Sequence, residues 1–148
     1  MAIRIGVIGV GVHGMHHVRL LSKMNGVVLA GIHDTNNSEA EKVAQEFGTS
    51  SCNAIDDLLG RVDVVSVAVP TTAHFEVVMR CFEAGKHVLV EKPIAMTLDE
   101  AHAMTDEARR RGLVFAVGHI ERFNPAYRSI AGNAGSPVFI ESHRLAVF

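Results

Sequence analysis

The chain has 148 residues, of which 48% are hydrophobic, a composition that suits one domain with a buried core. Its formal charge is −2 and its basic residues form no long run, which argues against a nucleic-acid partner. Two cysteines without metal-ligand spacing favour a cytoplasmic protein, and no apolar run approaches the ~18 residues of a membrane span.

Short β-branched runs alternate with longer amphipathic segments, a pattern typical of βα units around a parallel sheet. Strands are predicted over residues 3–8, 27–33, 62–69, 87–90 and 114–117. Helices are predicted after the first strand and over residues 38–47, 54–59, 73–84 and 98–111. We count the strand over 114–117 as the sixth of the sheet, so the fold class is α/β with a doubly wound parallel sheet.

Capping residues mark where these helices begin. Asn36 or Ser38 suits the start of one helix, and Thr72 suits the start of another. Thr97 and Glu100 form a capping box, in which each side chain bonds to the backbone N–H of the other residue.

The last segment of the chain follows a different pattern. A helix is predicted over 125–131, a turn over 133–137 and a long alternating strand over 138–148. Without a neighbour, that strand would be an aggregation-prone edge. We therefore expect residues 1–120 to form one domain and residues 121–148 to be the junction and first strand of a truncated second domain. Pairing with a strand of another subunit is the alternative.

A glycine-rich loop of sequence GVGVHG separates the first strand from the helix after it. In this setting Gly9 permits a tight turn, Gly11 lets a pyrophosphate approach the backbone, and Gly14 lets the helix pack closely on the sheet. The helix start at Val12 and His13 favours an anion through its unpaired N–H groups and the helix dipole. The loop therefore indicates the dinucleotide site of a Rossmann fold, with a chance glycine loop as the alternative.

Asp34 ends the second predicted strand, 20 residues after Gly14. A carboxylate at this position accepts hydrogen bonds from both hydroxyls of the adenosine ribose. A 2′-phosphate would meet this negative charge without a nearby arginine, so NAD is the predicted cofactor rather than NADP.

Three further groups of polar residues follow predicted strands, at residues 70–74, 91–93 and 119–125. In an open parallel sheet the ligand lies across the carboxyl ends of the strands, so these groups are expected at one edge of the sheet. Their shared position makes them candidates for the remainder of the site.

These residues resemble the glucose-fructose oxidoreductase, inositol dehydrogenase and rhizopine-catabolism family, written Gfo/Idh/MocA. The resemblance rests on the glycine loop with Asp34, on the tripeptide Glu91-Lys92-Pro93 and on the stretch GHIERFNP from Gly118 to Pro125, and it covers the whole chain. That stretch is similar to the nucleotide-sugar branch, especially UDP-N-acetylglucosamine 3-dehydrogenases.

The resemblance implies an N-terminal Rossmann domain and a C-terminal open sheet that binds a sugar and forms homo-oligomers. It also implies hydride exchange between a sugar carbon and the nicotinamide. Members of this family are more than twice as long as this chain, which ends about where the sheet of the second domain would begin.

Lys92 is the predicted catalytic residue. Its ammonium would stabilise negative charge on the substrate oxygen that loses its proton, or would relay that proton. A cis peptide bond before Pro93, which the resemblance suggests, would turn Lys92 into the cleft. The alternative is an exposed lysine at a strand end, paired with Glu91.

Glu91 is predicted to accept a hydrogen bond from the nicotinamide ribose or to orient Lys92, with a simple ion pair as the alternative. Thr71 and His74 are placed to contact the pyrophosphate or the nicotinamide. The alternative is that Thr72 caps the helix and His74 lies in its first turn.

His119 and Arg122 are predicted to contact the nicotinamide end or a substrate phosphate, since a guanidinium offers a bidentate fork. Pairing of Arg122 with Glu121 or Glu141 is the alternative. We predict no metal site, because His13 and His17 have no third ligand.

The sequence thus predicts the cofactor domain of an NAD-dependent sugar dehydrogenase that oxidises a secondary hydroxyl, at C3 of a UDP-N-acetylamino sugar. An inositol or a simple sugar is the alternative substrate. Two other classes stay open: a non-catalytic NAD-binding module, and a methyltransferase that uses S-adenosylmethionine and has no use for Lys92.

Overall fold

The structure is a computed structural model that describes residues 2–133 together with residues 135, 138, 139, 141 and 143. The chain divides into two compact units, residues 1–118 and residues 119–148.

The first unit is built on a parallel sheet with strand order β2-β1-β3-β4-β5. Its strands are β1 (Ile3–Ile8), β2 (Val27–His33), β3 (Val64–Val67), β4 (His87–Val90) and β5 (Phe115–Val117). The predicted α/β class with a doubly wound parallel sheet is confirmed. The third strand is shorter than predicted, although Val62 stays fully buried in the core.

Helices connect these strands: α1 (Val12–Leu21), α2 (Asn37–Phe47), α3 (Ile55–Leu59), α4 (His74–Glu83) and α5 (Leu98–Arg111). Asn36 caps α2 by accepting from the Glu39 N–H, as one of the two predicted alternatives has it. The predicted capping box at the start of α5 is present in full, with Thr97 accepting from Glu100 N–H and Glu100 accepting from Thr97 N–H.

Two separate hydrophobic clusters cover the two faces of the sheet. One joins α1 and α2 to the sheet and includes Val18 and Val43, while the other joins α3, α4 and α5 to it and includes Phe82 and Met104. Burial on both faces explains why the central strand β3 is almost continuously apolar.

The predicted count of six strands is wrong for the part of the chain that the structure describes, where the sheet has five. The position beyond β2 is occupied by an isolated parallel bridge between Ile32 and Ser51. The backbone there makes two hydrogen bonds, from Ile32 N–H to Ser50 O and from Cys52 N–H to Ile32 O. A single bridge is too short to count as a strand. The strand over 114–117, which we counted as the sixth, is present as β5, so the predicted count is one too high.

Thr72 does not cap α4, contrary to the prediction. A turn of 3₁₀ helix over Thr71–Ala73 follows Pro70, closed by a hydrogen bond from Ala73 N–H to Pro70 O at 2.8 Å. This tighter turn delays the α-helix, which begins at His74 after Ala73.

The second unit contains a 3₁₀ turn over Ile120–Phe123 and a helix, α6, over Pro125–Asn133. Most of the predicted strand over 138–148 lies outside the described residues, and so does part of the predicted turn at 133–137. Within the residues that are described, no helix combines the length and apolar character needed to cross a bilayer.

Candidate functional site

A cleft of about 530 Å³ lies at the carboxyl edge of the sheet in the first unit. Five of the predicted cofactor-binding residues line it: Gly9, Gly11, Val12, His13 and Asp34. They come from the end of β1, the start of α1 and the end of β2, so the fold brings together the two halves of the predicted dinucleotide pattern.

Two glycines of the loop are required by close backbone packing. Gly9 has φ +89°, and a Cβ there would lie 2.7 Å from Ala68 O. A Cβ on Gly14 would lie 1.8 Å from Gly9 O. Gly14 itself is buried and does not line the cleft, so it acts by letting α1 lie against the loop and the sheet.

Gly11 differs from these two because a Cβ there would meet nothing within 4 Å. The space above Gly11 is therefore open to the cleft. Gly11 is also the N-cap of α1 and supplies no side-chain hydrogen bond to the first turn. The N–H groups of Val12 and His13 thus begin a helix with no side chain covering them, which is the environment that a phosphate prefers.

The Asp34 carboxylate is held by the backbone on two sides. Oδ2 accepts from Val10 N–H at 2.8 Å, and Oδ1 accepts from Asn36 N–H at 2.9 Å. Thr35 Oγ1 makes a third and longer contact, donating to Oδ1 at 3.5 Å. An ionised carboxylate offers about four acceptor positions, so one remains free on Oδ2, while the Oδ1 position used by Thr35 is held only by this long contact. The arrangement fixes a negative group in the wall of the cleft, where a ribose diol can donate to it.

Glu91 lies directly after β4, and its carboxylate is only 13% exposed. Its Oε1 contacts Nε2 of His17 at 3.0 Å, and its Oε2 accepts from Lys92 N–H at 3.2 Å. The other nitrogen of His17, Nδ1, lies 2.7 Å from Ser66 Oγ. The alternative prediction was a simple ion pair between Glu91 and Lys92. In the described structure the Glu91 carboxylate contacts His17 and a backbone N–H.

Lys92 is exposed, and the peptide bond between Lys92 and Pro93 is cis, as predicted. The lysine does not line the cleft described above. Its approach to a nicotinamide stays a prediction.

His74 is 1% exposed, with Nδ1 at 2.9 Å from Pro93 O and Nε2 at 3.0 Å from Val69 O. Its ring joins the loop after β3 to the loop after β4, so the structure places it inside the protein rather than on the cleft. It is the first residue of α4, as the alternative had it. Thr71 opens the 3₁₀ turn and is half-buried, and its contact with a cofactor stays a prediction.

His119 and Arg122 belong to the second unit, at the 3₁₀ turn that follows His119. Arg122 N–H donates to His119 O at 3.1 Å. Their predicted contact with the nicotinamide end or a substrate phosphate stays a prediction.

Sequence reasoning missed several residues of the cleft. His33 and Thr35 flank Asp34 and could have been found from that position alone. The apolar wall could not, because its members come from distant elements, among them Ile55 of α3 and Val77 of α4. Within the described residues no group of three or more potential metal ligands comes together, and His13 and His17 make separate contacts.

Comparison with known proteins identifies what this site is similar to. Residues 3–119 match the family described as "Oxidoreductase family, NAD-binding Rossmann fold" (GFO_IDH_MocA). Among curated proteins, the UDP-N-acetylglucosamine 3-dehydrogenase of Acidithiobacillus ferrooxidans is 40% identical over 98% of this chain and 46% of its own length. The scyllo-inositol 2-dehydrogenase (NAD(+)) of Bacillus subtilis is 30% identical over 93% of this chain and 43% of its own length.

Solved structures agree in fold. The crystal form P21 of the A. ferrooxidans enzyme superposes with a TM-score of 0.86 at 39% identity, over 91% of this chain and 44% of that one. GenD2 from gentamicin A biosynthesis, in complex with NAD, superposes with a TM-score of 0.87 at 27% identity, over 90% of this chain and 39% of that one. The chain thus spans less than half the length of these relatives.

Proposed function

Because the chain belongs to the Gfo/Idh/MocA oxidoreductase family, as its motifs predicted, we propose that it is the NAD-binding domain of an NAD-dependent sugar dehydrogenase. The observation that carries the proposal is the cleft in which the open space above Gly11 and the Asp34 carboxylate face the same cavity. The matched family is described as having an NAD-binding Rossmann fold, and GenD2 is in complex with NAD.

The residues of the cleft fit the adenosine diphosphate half of NAD. The N–H groups at Val12 and His13 would receive the pyrophosphate, since the start of α1 offers uncovered donors and the positive end of its dipole. The free acceptor position on Asp34 Oδ2 and the Oδ1 position that Thr35 occupies at 3.5 Å would receive the ribose hydroxyls. A 2′-phosphate at this point would meet the same carboxylate and be repelled.

The nicotinamide of bound NAD supplies a hydride acceptor for the carbon that carries the substrate hydroxyl. Lys92, which follows the end of β4, is the residue that we assign to this hydroxyl. Its ammonium would stabilise negative charge as the oxygen loses its proton, or would pass that proton on. The hydrogen bond from Lys92 N–H to the Glu91 carboxylate helps to fix the backbone at Lys92.

We assign the substrate as a secondary hydroxyl of a nucleotide-linked amino sugar, at C3 of a UDP-N-acetylamino sugar. The 40% identity to a UDP-N-acetylglucosamine 3-dehydrogenase supports this assignment over the inositol alternative, for which the identity reaches 37% with an inositol 2-dehydrogenase of Saccharopolyspora erythraea.

Replacing Lys92 tests the catalytic assignment. In the full-length protein, supplied with NAD and UDP-N-acetylglucosamine or scyllo-inositol, Lys92→Met is expected to lower kcat by at least about 100-fold, equivalent to about 2.7 kcal/mol of barrier. NADH production followed at 340 nm measures it. Lys23→Met, at another exposed lysine, is the matched control and should keep wild-type turnover.

Turnover of Lys92→Met within about tenfold of wild type would refute the assigned role. If wild-type protein binds NADH but turns over neither substrate, the chain is instead a non-catalytic NAD-binding module or acts on another sugar. Failure to bind NADH would remove the whole proposal.

A further inference from the structure

The Glu91 carboxylate is in contact with the neighbouring backbone N–H and with two parts of the chain that are distant in sequence, at His17 and Gly118. His17 of α1 contacts Oε1 at 3.0 Å, and the adjacent Lys92 N–H contacts Oε2 at 3.2 Å. On the third side is Gly118, where a Cβ would lie 2.9 Å from Oε1. The carboxylate therefore occupies a space shaped for it, and the glycine at 118 leaves that space open.

The hydrogen-bonding partners fix which atoms of His17 donate. An ionised carboxylate only accepts, so Nε2 of His17 must carry the proton that it shares with Glu91. Ser66 Oγ can either donate to Nδ1 or accept from it, so the neutral ring satisfies both contacts. The Glu91 contact thus places a proton on Nε2, and the Ser66 hydroxyl helps to hold the orientation of the His17 ring.

A serine, a histidine and a carboxylate in sequence also make up the triad of hydrolytic enzymes. That interpretation fails here because Ser66 is 0% exposed, in the middle of β3. A nucleophile must reach a substrate, and this hydroxyl cannot. The three side chains are arranged to hold one another rather than to attack.

What they hold is the backbone from which Lys92 projects. Lys92 is exposed, so its own side chain contributes little to fixing its direction. The preceding residue, Glu91, is fixed instead. Its side chain is 13% exposed and contacts the side chain of His17, which is 18% exposed. The close packing of α1 on the sheet at Gly14 is what brings His17 within reach of Glu91.

We propose that His17 is a positioning residue for Lys92: supported by Ser66, it anchors the Glu91 carboxylate and so sets the place of the lysine at the nicotinamide end of the site. This inference rests on the proposed function for its catalytic consequence. Its structural part is the coupling of His17 to the Lys92 backbone. This coupling does not depend on turnover and can be measured separately.

The structural part is tested by NMR on the protein without ligand. In His17→Ala, the amide resonances of Glu91 and Lys92 should shift well beyond those of other residues in β4. In His17→Gln, whose side-chain N–H can still donate to Glu91, they should stay close to wild type. His16→Ala, the exposed neighbour on the same helix, is the matched control. Unmoved Glu91 and Lys92 amides in His17→Ala would overturn the proposal.

The catalytic part is tested in the full-length protein with NAD and UDP-N-acetylglucosamine. His17→Ala should lower kcat by about 10- to 100-fold, because displaced catalytic groups lose that much, while the KM for NAD stays within about threefold. His17→Gln should recover most of the loss. Gly118→Ala, which crowds Glu91 Oε1 from the opposite side, should lower kcat in the same way.

A double-mutant cycle separates positioning from general loss of structure. In a Glu91→Ala background, His17→Ala should cost little further activity, since both changes break one contact. Melting temperatures of all variants show whether the fold is kept. Equal losses in His17→Ala and His17→Gln at unchanged melting temperature, or fully additive losses in the cycle, would overturn the proposal. Absence of wild-type turnover would count against the proposed function and leave the NMR result to decide the coupling.

Discussion

The glycine-loop side and the Glu91 side of the site are built in different ways. The first uses backbone N–H groups and one carboxylate from residues 9–34, which are close together in the chain. The second uses side chains of α1, β3 and the end of β4, joined across 49 and 74 residues of sequence. Cofactor binding thus depends on local chain geometry, whereas the position of Lys92 depends on how α1 packs on the sheet.

Gly14 is part of the glycine loop, and it also allows the close packing of α1 that places His17 near Glu91. Its replacement should therefore cause the largest loss of stability among the changes considered. The Cβ of Gly14→Ala would lie 1.8 Å from Gly9 O, a backbone atom that cannot move without moving β1 and α1 apart. We expect a loss of unfolding free energy of about 3 kcal/mol or more. Urea unfolding followed by circular dichroism measures it.

Gly60→Ala is the control for that experiment, because Gly60 has φ −64° and a Cβ there meets Asp56 O at an ordinary 3.6 Å. It should leave stability within about 1 kcal/mol of wild type. Similar stability of Gly14→Ala and Gly60→Ala would show that α1 does not need the close approach.

Gly11→Ala should damage the glycine-loop side alone. Its Cβ meets no protein atom within 4 Å, so stability should change by no more than about 1 kcal/mol, the usual cost of alanine at an N-cap. The same Cβ would occupy space that the pyrophosphate needs, and NADH affinity should fall at least about tenfold, or about 1.4 kcal/mol. Fluorescence titration with NADH checks it, and unchanged affinity would place the pyrophosphate elsewhere.

This contrast between local and nonlocal contacts explains which parts of the structure could be predicted from the sequence. β1, the glycine loop and Asp34 were predicted in place because their signals are local, and so was the capping box of α5. The contacts of His17 with Ser66 and Glu91 could not be predicted, since nothing local to any of them indicates the other two. A buried serine in an apolar strand was the one available hint.

The errors in the predicted fold also arise where a distant part of the chain, or a different local structure, determines the outcome. Thr72 has the right residue type for a helix cap, but the 3₁₀ turn after Pro70 takes its place. The strand over 114–117 was counted as the sixth of the sheet but is the fifth, β5, and only the isolated bridge from Ile32 to Ser51 extends the sheet beyond β2.

The smallest effect is expected at the opposite edge of the sheet, where Arg4 and Asp63 pair at 2.9 Å. The hydrogen bonds from Arg4 lower the pKa of Asp63 from 3.8 to about 2. Because this pKa is lowered on folding, the pair stabilises the protein at pH above about 4, and that stability is lost as the pH falls toward 2.

Asp63→Asn should therefore reduce the loss of stability between pH 4 and pH 2, measured by urea unfolding across that range. Its NADH affinity at pH 7 should equal that of wild type, because the pair lies away from the cleft. A weakened affinity would contradict the placement of the site at the carboxyl edge.

The central claim is that an adenine dinucleotide lies across the glycine loop with its ribose held by Asp34. Isothermal titration calorimetry with NADH and NADPH tests it most directly. We expect a Kd for NADH at least about tenfold below that for NADPH, a difference of about 1.4 kcal/mol in binding free energy, and Asp34→Ser should reduce this difference. Equal affinity for the two cofactors, or an Asp34→Ser variant with unchanged preference, would contradict it.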